Sequence, residues 1–274
     1  MVPATVKLRI FQSGYCLANS RIVNPRARRE TVRFYATWLL LQHSTHGNIL
    51  FDTGYTRRFF QATAHLPYKL YALATPVFVI ESESARSQLA TIGLSPEDIS
   101  TIVISHFHAD HIGGLLDFPH SQLVCSQKAL DEATRKKGWA ALRKGILPDL
   151  LPANLLQRTT AVESLGISYT EPQSGLVMYD WLGDGSLQLV ELPGHARGML
   201  GIRVRHEAGV TFFASDAFWN IHTFQQKILP QKIVTLFFDS WTDYVATFEK
   251  LHRYQEVFPD DKILFTHCPE TLPQ

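Results

Sequence analysis

With 274 residues, 45% hydrophobic and 19% charged, the chain can fill a sizeable core and fits one large α/β domain spanning 1–274. A formal net charge of +1 gives no basic footprint for nucleic acid and no overall attraction to an anionic membrane. No run approaches the ~18 uninterrupted apolar residues of a membrane-crossing helix, and three cysteines without CxxC spacing (Cys16, Cys125, Cys268) argue against a disulfide framework and for a reducing, cytoplasmic setting.

The N-terminal MVPATVKLRIF lacks a basic region followed by a long apolar run, so it reads as the first strand of the mature protein. Arg26, Arg28 and Arg29, just after Pro25, read as a solvated loop. FYATWLLL (34–41) and NILF (48–51) are further strands. Residues 55–80 differ: Tyr55, Phe59, Phe60, Tyr68, Tyr71 and Phe78 are interrupted by Pro67 and Pro76. A lid over a site mouth, a homodimer contact and ordinary helical packing all suit such a segment. Ser84 to Thr91 reads as a helix closed by Gly93, and Ser95-Pro-Glu-Asp as a helix start with Pro and acidic residues in its first turn.

TIVIS (101–105) and QLVC (122–125) are strands, and a helix follows Ser126. Trp139 to Leu156 is a second candidate for a lid or dimer contact, an apolar stretch whose prolines forbid one continuous helix. LQLVEL, GIRVR, VTFFAS and KILF read as strands in the second half, and Thr242 to Val257 as a helix with Val245, Phe248 and Leu251 on one face. Strands in both halves with helices interspersed predict a layered α/β sandwich.

The most informative stretch is Thr101-Ile-Val-Ile-Ser-His-Phe-His-Ala-Asp-His-Ile-Gly-Gly. Residues i and i+2 of an extended segment point the same way, so His106 and His108 can share one ion. The chain must then turn, which lets Asp110 and His111 face a second ion. Imidazole suits zinc, iron and related ions, and a carboxylate adds a hard oxygen donor. Burying these groups without partners would be costly, which argues against a packing role. Gly113-Gly114 permits close backbone packing or unusual dihedrals at the turn. His195, Asp216 and His267 each stand just past a buried-looking strand, as His106 does, and ligand sites in α/β folds gather beyond strand ends.

These residues resemble the metallo-β-lactamase superfamily, from Asn48-Ile-Leu-Phe-Asp-Thr-Gly through His106-Phe-His-Ala-Asp-His, Pro193-Gly-His195 and Ser215-Asp216 to Thr266-His267. The resemblance implies an αββα sandwich, two packed mixed sheets flanked by helices, with the metals at one edge. It implies that His106, His108 and His195 bind a first metal, that Asp110, His111 and His267 bind a second, and that Asp216 bridges them. Asp52 would support the ligands without binding a metal. Within the family, the early Ser-Gly-Tyr-Cys, the spacing from Asp52 to the motif and Ile146-Leu-Pro look similar to acyl-homoserine lactonases. Those enzymes typically carry a Tyr three residues after the bridging Asp, where this chain has Trp219, and a second His where it has Met199.

The expected chemistry is hydrolysis. Two divalent ions, of zinc by preference and otherwise iron, manganese or cobalt, would lower the pKa of a shared water, and the resulting hydroxide would attack a lactone or ester carbonyl. Asp110 would shuttle a proton to the leaving group. Phe107 and Trp219 would form an apolar wall for a small-molecule substrate. Thioester hydrolases of the glyoxalase II type and phosphodiesterases share this ligand set. A class B1 β-lactamase is disfavoured because it uses Cys where Asp216 stands, and a non-catalytic binding module because such members lose ligands.

Overall fold

The computed structural model describes residues 5–165 and 167–271. Thirteen strands among them form two sheets. The first holds β1 (Val6–Asn19), β2 (Thr31–His43), β3 (Gly47–Phe51), β4 (Val77–Phe78), β5 (Ile99–Val103), β6 (Gln122–Cys125) and β7 (Thr159–Ala161), in the order β4-β1-β2-β3-β5-β6-β7. The second holds β8 (Ser168–Thr170), β9 (Val177–Asp180), β10 (Leu187–Glu191), β11 (Leu200–His206), β12 (Gly209–Phe213) and β13 (Lys262–Leu264), in the order β13-β12-β11-β10-β9-β8. Both are mixed. β1, β2 and β3 pair antiparallel while β3, β5, β6 and β7 pair parallel, and in the second sheet only β12 and β13 are parallel.

Alternation along the strands explains the layering. In β2, Leu39 and Leu41 point between the sheets, where they meet Leu189, Ile202 and Phe213. Trp38 and Leu40 point outward, onto Phe59, Leu89 and Leu130 of the flanking helices. The second sheet does the same, with Val190, Phe212 and Ile263 packed on Phe248, Leu251 and Tyr254 of the helix Trp241–Val257. Because both faces are covered, the central strands read as continuous apolar runs. The architecture is the αββα sandwich. No helix among the described residues is long and apolar enough to cross a membrane.

Several local expectations are refined. β1 does not stop at Phe11 but continues to Asn19 across an irregularity between Gln12 and Tyr15, where Gly14 adopts φ 76°. The far ends of β1 and β2 therefore project as a ribbon. Ser84 caps the helix Ala85–Thr91 by accepting from the Ser87 N–H at 3.3 Å, and Gly93 follows with φ 80°. Ser95-Pro-Glu-Asp starts no longer helix: the Asp98 carboxylate accepts from Ser95, one 3-10 turn forms, and the chain enters β5. In Trp241–Val257 the buried stripe runs through Tyr244, Phe248, Leu251 and Tyr254, and Val245 lies half-buried at its edge. Within 55–80, Tyr55 and Phe59 are core residues, while the helix Lys69–Ala74 buries none of its side chains fully. Residues 139–156 are indeed broken, into the helix Gly138–Leu142 and a 3-10 turn at Pro148–Leu150. All three cysteines are buried free thiols.

Candidate metal centre

Five strand ends converge at one edge of the sandwich. Beyond β3 the chain reaches Asp52; beyond β5, His106, His108, Asp110 and His111; beyond β10, His195; beyond β12, Asp216; beyond β13, His267. Local backbone makes the approach possible. Asp52 and Ser215 adopt left-handed φ values of 63° and 48°. Gly194 (φ 132°) passes the helix Trp241–Val257 so closely that a Cβ there would lie 2.3 Å from the Tyr244 Cα. Gly113 has ordinary helical dihedrals, so its role is the other one foreseen: a Cβ would meet the Gly54 carbonyl oxygen at 2.7 Å.

The ligand-type atoms fall into two groups, His106, His108 and His195, and Asp110, His111, Asp216 and His267, each with its atoms within 4.8 Å of one another. In the first, His108 Nδ1 lies 3.0 Å from His106 Nε2 and 3.1 Å from His195 Nε2. In the second, His267 Nε2 is 2.9 Å from Asp216 Oδ2 and 3.6 Å from Asp110 Oδ2, and His111 Nε2 is 3.4 Å from Asp216 Oδ1. Asp216 also reaches the first group, with Oδ2 3.4 Å from His195 Nε2.

The outer faces of His111, His267 and His108 are held by the protein. His111 Nδ1 sits 2.7 Å from Asp52 Oδ2, and His267 Nδ1 lies 2.9 Å from the Tyr35 carbonyl oxygen. Ser105 donates its N–H to Asp52 Oδ1 and its hydroxyl to Oδ2, at 2.8 and 2.7 Å. Gly145, in the left-handed region, packs against the His108 ring so tightly that a Cβ would be 2.6 Å from Cδ2. Such outer contacts fix ring orientation and tautomer.

Electrostatics divides the two groups. Burial, reinforced by neighbouring imidazoles, holds His106 well below the usual histidine range. Burial also lowers His108 and His195, against the pull of Asp110 and Asp216 respectively. In all three the shift favours the neutral ring, the form with a lone pair to give. Burial opposes charge on His111 and His267 too, but Asp110 and Asp52 outweigh it at His111, and Asp216 outweighs it at His267, so both are raised. Asp216, which burial alone would raise, is pulled well below the carboxylate range by His267 and His111.

The set fits metal ions. His111 Nε2 and Asp216 Oδ1 are buried with no hydrogen-bond partner among the described residues, a state that costs about 1–3 kcal/mol per group unless something satisfies it. Three neutral imidazole nitrogens facing one another, and a second group of two imidazoles with two carboxylates, are consistent with a dinuclear site.

The cluster forms the floor of a cavity of about 1090 Å³. His108, Asp110, His195, Asp216 and His267 line it, as does Trp219. Phe107 does not: pointing opposite to His106 and His108, it is buried in the core beneath the helices, and its expected contact with substrate is corrected accordingly. The walls include Tyr71 and Leu142, from the two segments for which a lid over the site mouth was one expectation, together with the β1–β2 ribbon and Phe238, which the sequence had not tied to the site. Ser105 and Gly145 were missed as well. Ser105 stood inside the motif without a role, and nothing local ties Gly145 to His108.

A family model described as the metallo-beta-lactamase superfamily matches residues 31–267. The chain is 26% identical over 243 residues to the probable metallo-hydrolase Rv2300c of Mycobacterium tuberculosis, covering 85% of this chain and 74% of that one. It is 27% identical over 194 residues to the N-acyl homoserine lactonase AttM of Azorhizobium caulinodans, covering 70% and 67%. A solved N-acyl homoserine lactone hydrolase, with N-hexanoyl-L-homoserine bound at its catalytic metal centre, superposes with a TM-score of 0.71 at 19% identity, covering 97% of this chain and 95% of that one.

Proposed function

The chain belongs to the metallo-β-lactamase superfamily, and from that premise we propose that it is a dinuclear zinc hydrolase acting on the carbonyl of a lactone or carboxylic ester. The observation that carries this reading is the position of the His/Asp cluster at the floor of a large cavity whose walls are mostly apolar. Two relatives named as acting on acyl homoserine lactones support the lactone end of the range. Zinc is the metal preferred by so imidazole-rich a set.

His106, His108 and His195 would hold one ion, Asp110, His111 and His267 the other, and Asp216, within 3.4 Å of both groups, would join them. When bound, the ions supply Lewis acidity and a water acidified toward neutral pH. The chain supplies the rest. Asp110 lines the cavity floor with Oδ2 toward His111 and His267, and its other carboxylate oxygen would take a proton and pass it to a departing oxygen. Trp219 lies edge-on to His195 with its ring centroid 5.8 Å away, and its indole N–H is buried with no partner among the described residues. Trp219 lines the cavity, and a turn of its ring would bring that N–H to an oxygen of the substrate. The apolar walls exclude water and receive the acyl portion.

Among the described residues Arg143 is the one lysine or arginine on the cavity wall. Assays of the zinc-loaded protein against acyl lactones, aryl esters, S-lactoylglutathione and bis-aryl phosphates separate the classes. The expected result is preferential turnover of lactone or ester. Preference for the thioester or phosphodiester would overturn the reading.

A further inference from the structure

The rim of the cavity is a closed ring of segments stitched together by polar contacts. The Gly138 N–H donates to the Tyr68 hydroxyl at 2.9 Å, joining the helices Lys69–Ala74 and Gly138–Leu142. Lys144 Nζ lies 2.6 Å from Asp239 Oδ1, joining the next loop to the turn after Lys232–Leu236. The Gln231 N–H donates to the Ile22 carbonyl at 3.0 Å, and the Leu17 N–H to the Pro76 carbonyl at 2.9 Å, which closes the ring through the β1–β2 ribbon.

Two features of this ring extend beyond the lining of the cavity. First, it holds large apolar side chains out in solvent: Trp139 is 66% exposed, Leu236 62% and Phe237 64%, with Leu70 and Ile233 beside them. Contiguous exposed apolar surface of this kind marks an interaction site. Second, the charge is concentrated there. Residues 16–31, 68–76, 136–145 and 231–239 carry ten lysines and arginines against two carboxylates, Glu30 and Asp239, in a chain of net charge +1. Most of these cations are exposed, including Arg28, Arg29, Lys69, Lys137, Arg143 and Lys232. The overall charge conceals the asymmetry.

We propose that this rim docks the protein on an anionic lipid surface, with the apolar side chains entering the headgroup boundary and the cations meeting lipid charge, so that the cavity opens toward the membrane. Basic residues around exposed aromatic and aliphatic groups are the combination that binds such surfaces, and each Lys or Arg near an anionic leaflet contributes on the order of 1 kcal/mol. A second copy of the chain is a poorer occupant, because an isologous contact would set one excess of positive charge against the same excess. The inference rests on the rim and is independent of the bond hydrolysed.

The test is co-sedimentation of the zinc-loaded full chain with phosphatidylcholine vesicles, with and without phosphatidylglycerol, at low and high salt. Binding is expected with phosphatidylglycerol, weakening as salt rises. The double substitution Leu236→Ser/Phe237→Ser should reduce partitioning roughly tenfold or more, and Arg28→Glu/Arg29→Glu/Lys232→Glu should abolish the dependence on anionic lipid. No binding to the anionic vesicles, or binding unchanged in both variants, would overturn the proposal. So would self-association of the wild type that Leu236→Ser/Phe237→Ser abolishes while vesicles bind neither protein. A chain that binds vesicles but hydrolyses nothing would leave this inference standing and remove the proposed function.

Discussion

Asp52 and His111 meet at 2.7 Å with both side chains wholly out of solvent. Asp52 holds a left-handed backbone angle to make that contact, and its other oxygen is occupied by the Ser105 N–H. The pair fixes the tautomer that turns His111 Nε2 toward Asp110 and Asp216.

Replacing Asp52 by Asn puts an amide where two acceptor oxygens serve three donors. Metal retention at Asp110, His111, Asp216 and His267 should fall about 10–100-fold. Chelator competition on the folded variant measures this, and unchanged retention would remove Asp52 from the account.

Gly145→Ala should act on His108. The new Cβ would lie 2.6 Å from the ring, at a φ of 66° that already costs an alanine about 1–2 kcal/mol. Metal binding at His106, His108 and His195 is expected to weaken by about tenfold or more, the range found when contacts that orient a ligand are lost, while melting temperature drops by only a few degrees. A variant that melts lower yet binds metal normally would show that Gly145 serves the loop alone.

Trp219→Phe removes an N–H that has no partner among the described residues. Stability should change little on that account, whereas kcat/KM for a lactone should fall by about tenfold or more if the indole donates to substrate. Equal kcat/KM for the two proteins would assign Trp219 to packing against His195 and Phe238.

At the opposite end of the sandwich, His43 Nε2 lies 3.1 Å from Asp184 Oδ2 and 3.1 Å from Ser186 Oγ, tying β2 to the turn before β10. Burial opposes the Asp184 charge, but hydrogen bonds from Ser186 and the neighbouring His43 outweigh it and hold the carboxyl below its ordinary value. A depressed carboxyl contributes stability that is present above its unfolded pKa, ~3.9, and is lost as pH falls through the folded value. Asp184→Asn should therefore cost about 1–2 kcal/mol at neutral pH, and the gap from wild type should close in acid. Denaturant melts across that range measure it, and a gap independent of pH would contradict the assignment.

The ligand cluster was legible because it follows from two local signals: four ligand types within six residues, and polar residues just past buried strands. The same alternation rule, applied to Phe107, would have placed it in the core with no structure in hand. β1 was read only as far as Phe11, whereas the chain bulges between Gln12 and Tyr15 and continues to Asn19. That continuation builds one wall of the cavity. The wall at residues 233–238 is built on the short 3-10 helix Lys232–Leu236, without α-helical or strand periodicity, so its place emerges only from contacts distant in sequence, such as Gln231 to Ile22. The charge asymmetry lay in the sequence but needed the closed ring of segments to become one surface.

The most direct test of the dinuclear account is a metal count on zinc-loaded, extensively dialysed protein, compared with His267→Ala. About two ions per wild-type chain are expected, falling toward one in the variant as the Asp110, His111 and Asp216 group loses a donor. Fewer than about one ion per wild-type chain, or a count unmoved by His267→Ala, would contradict it.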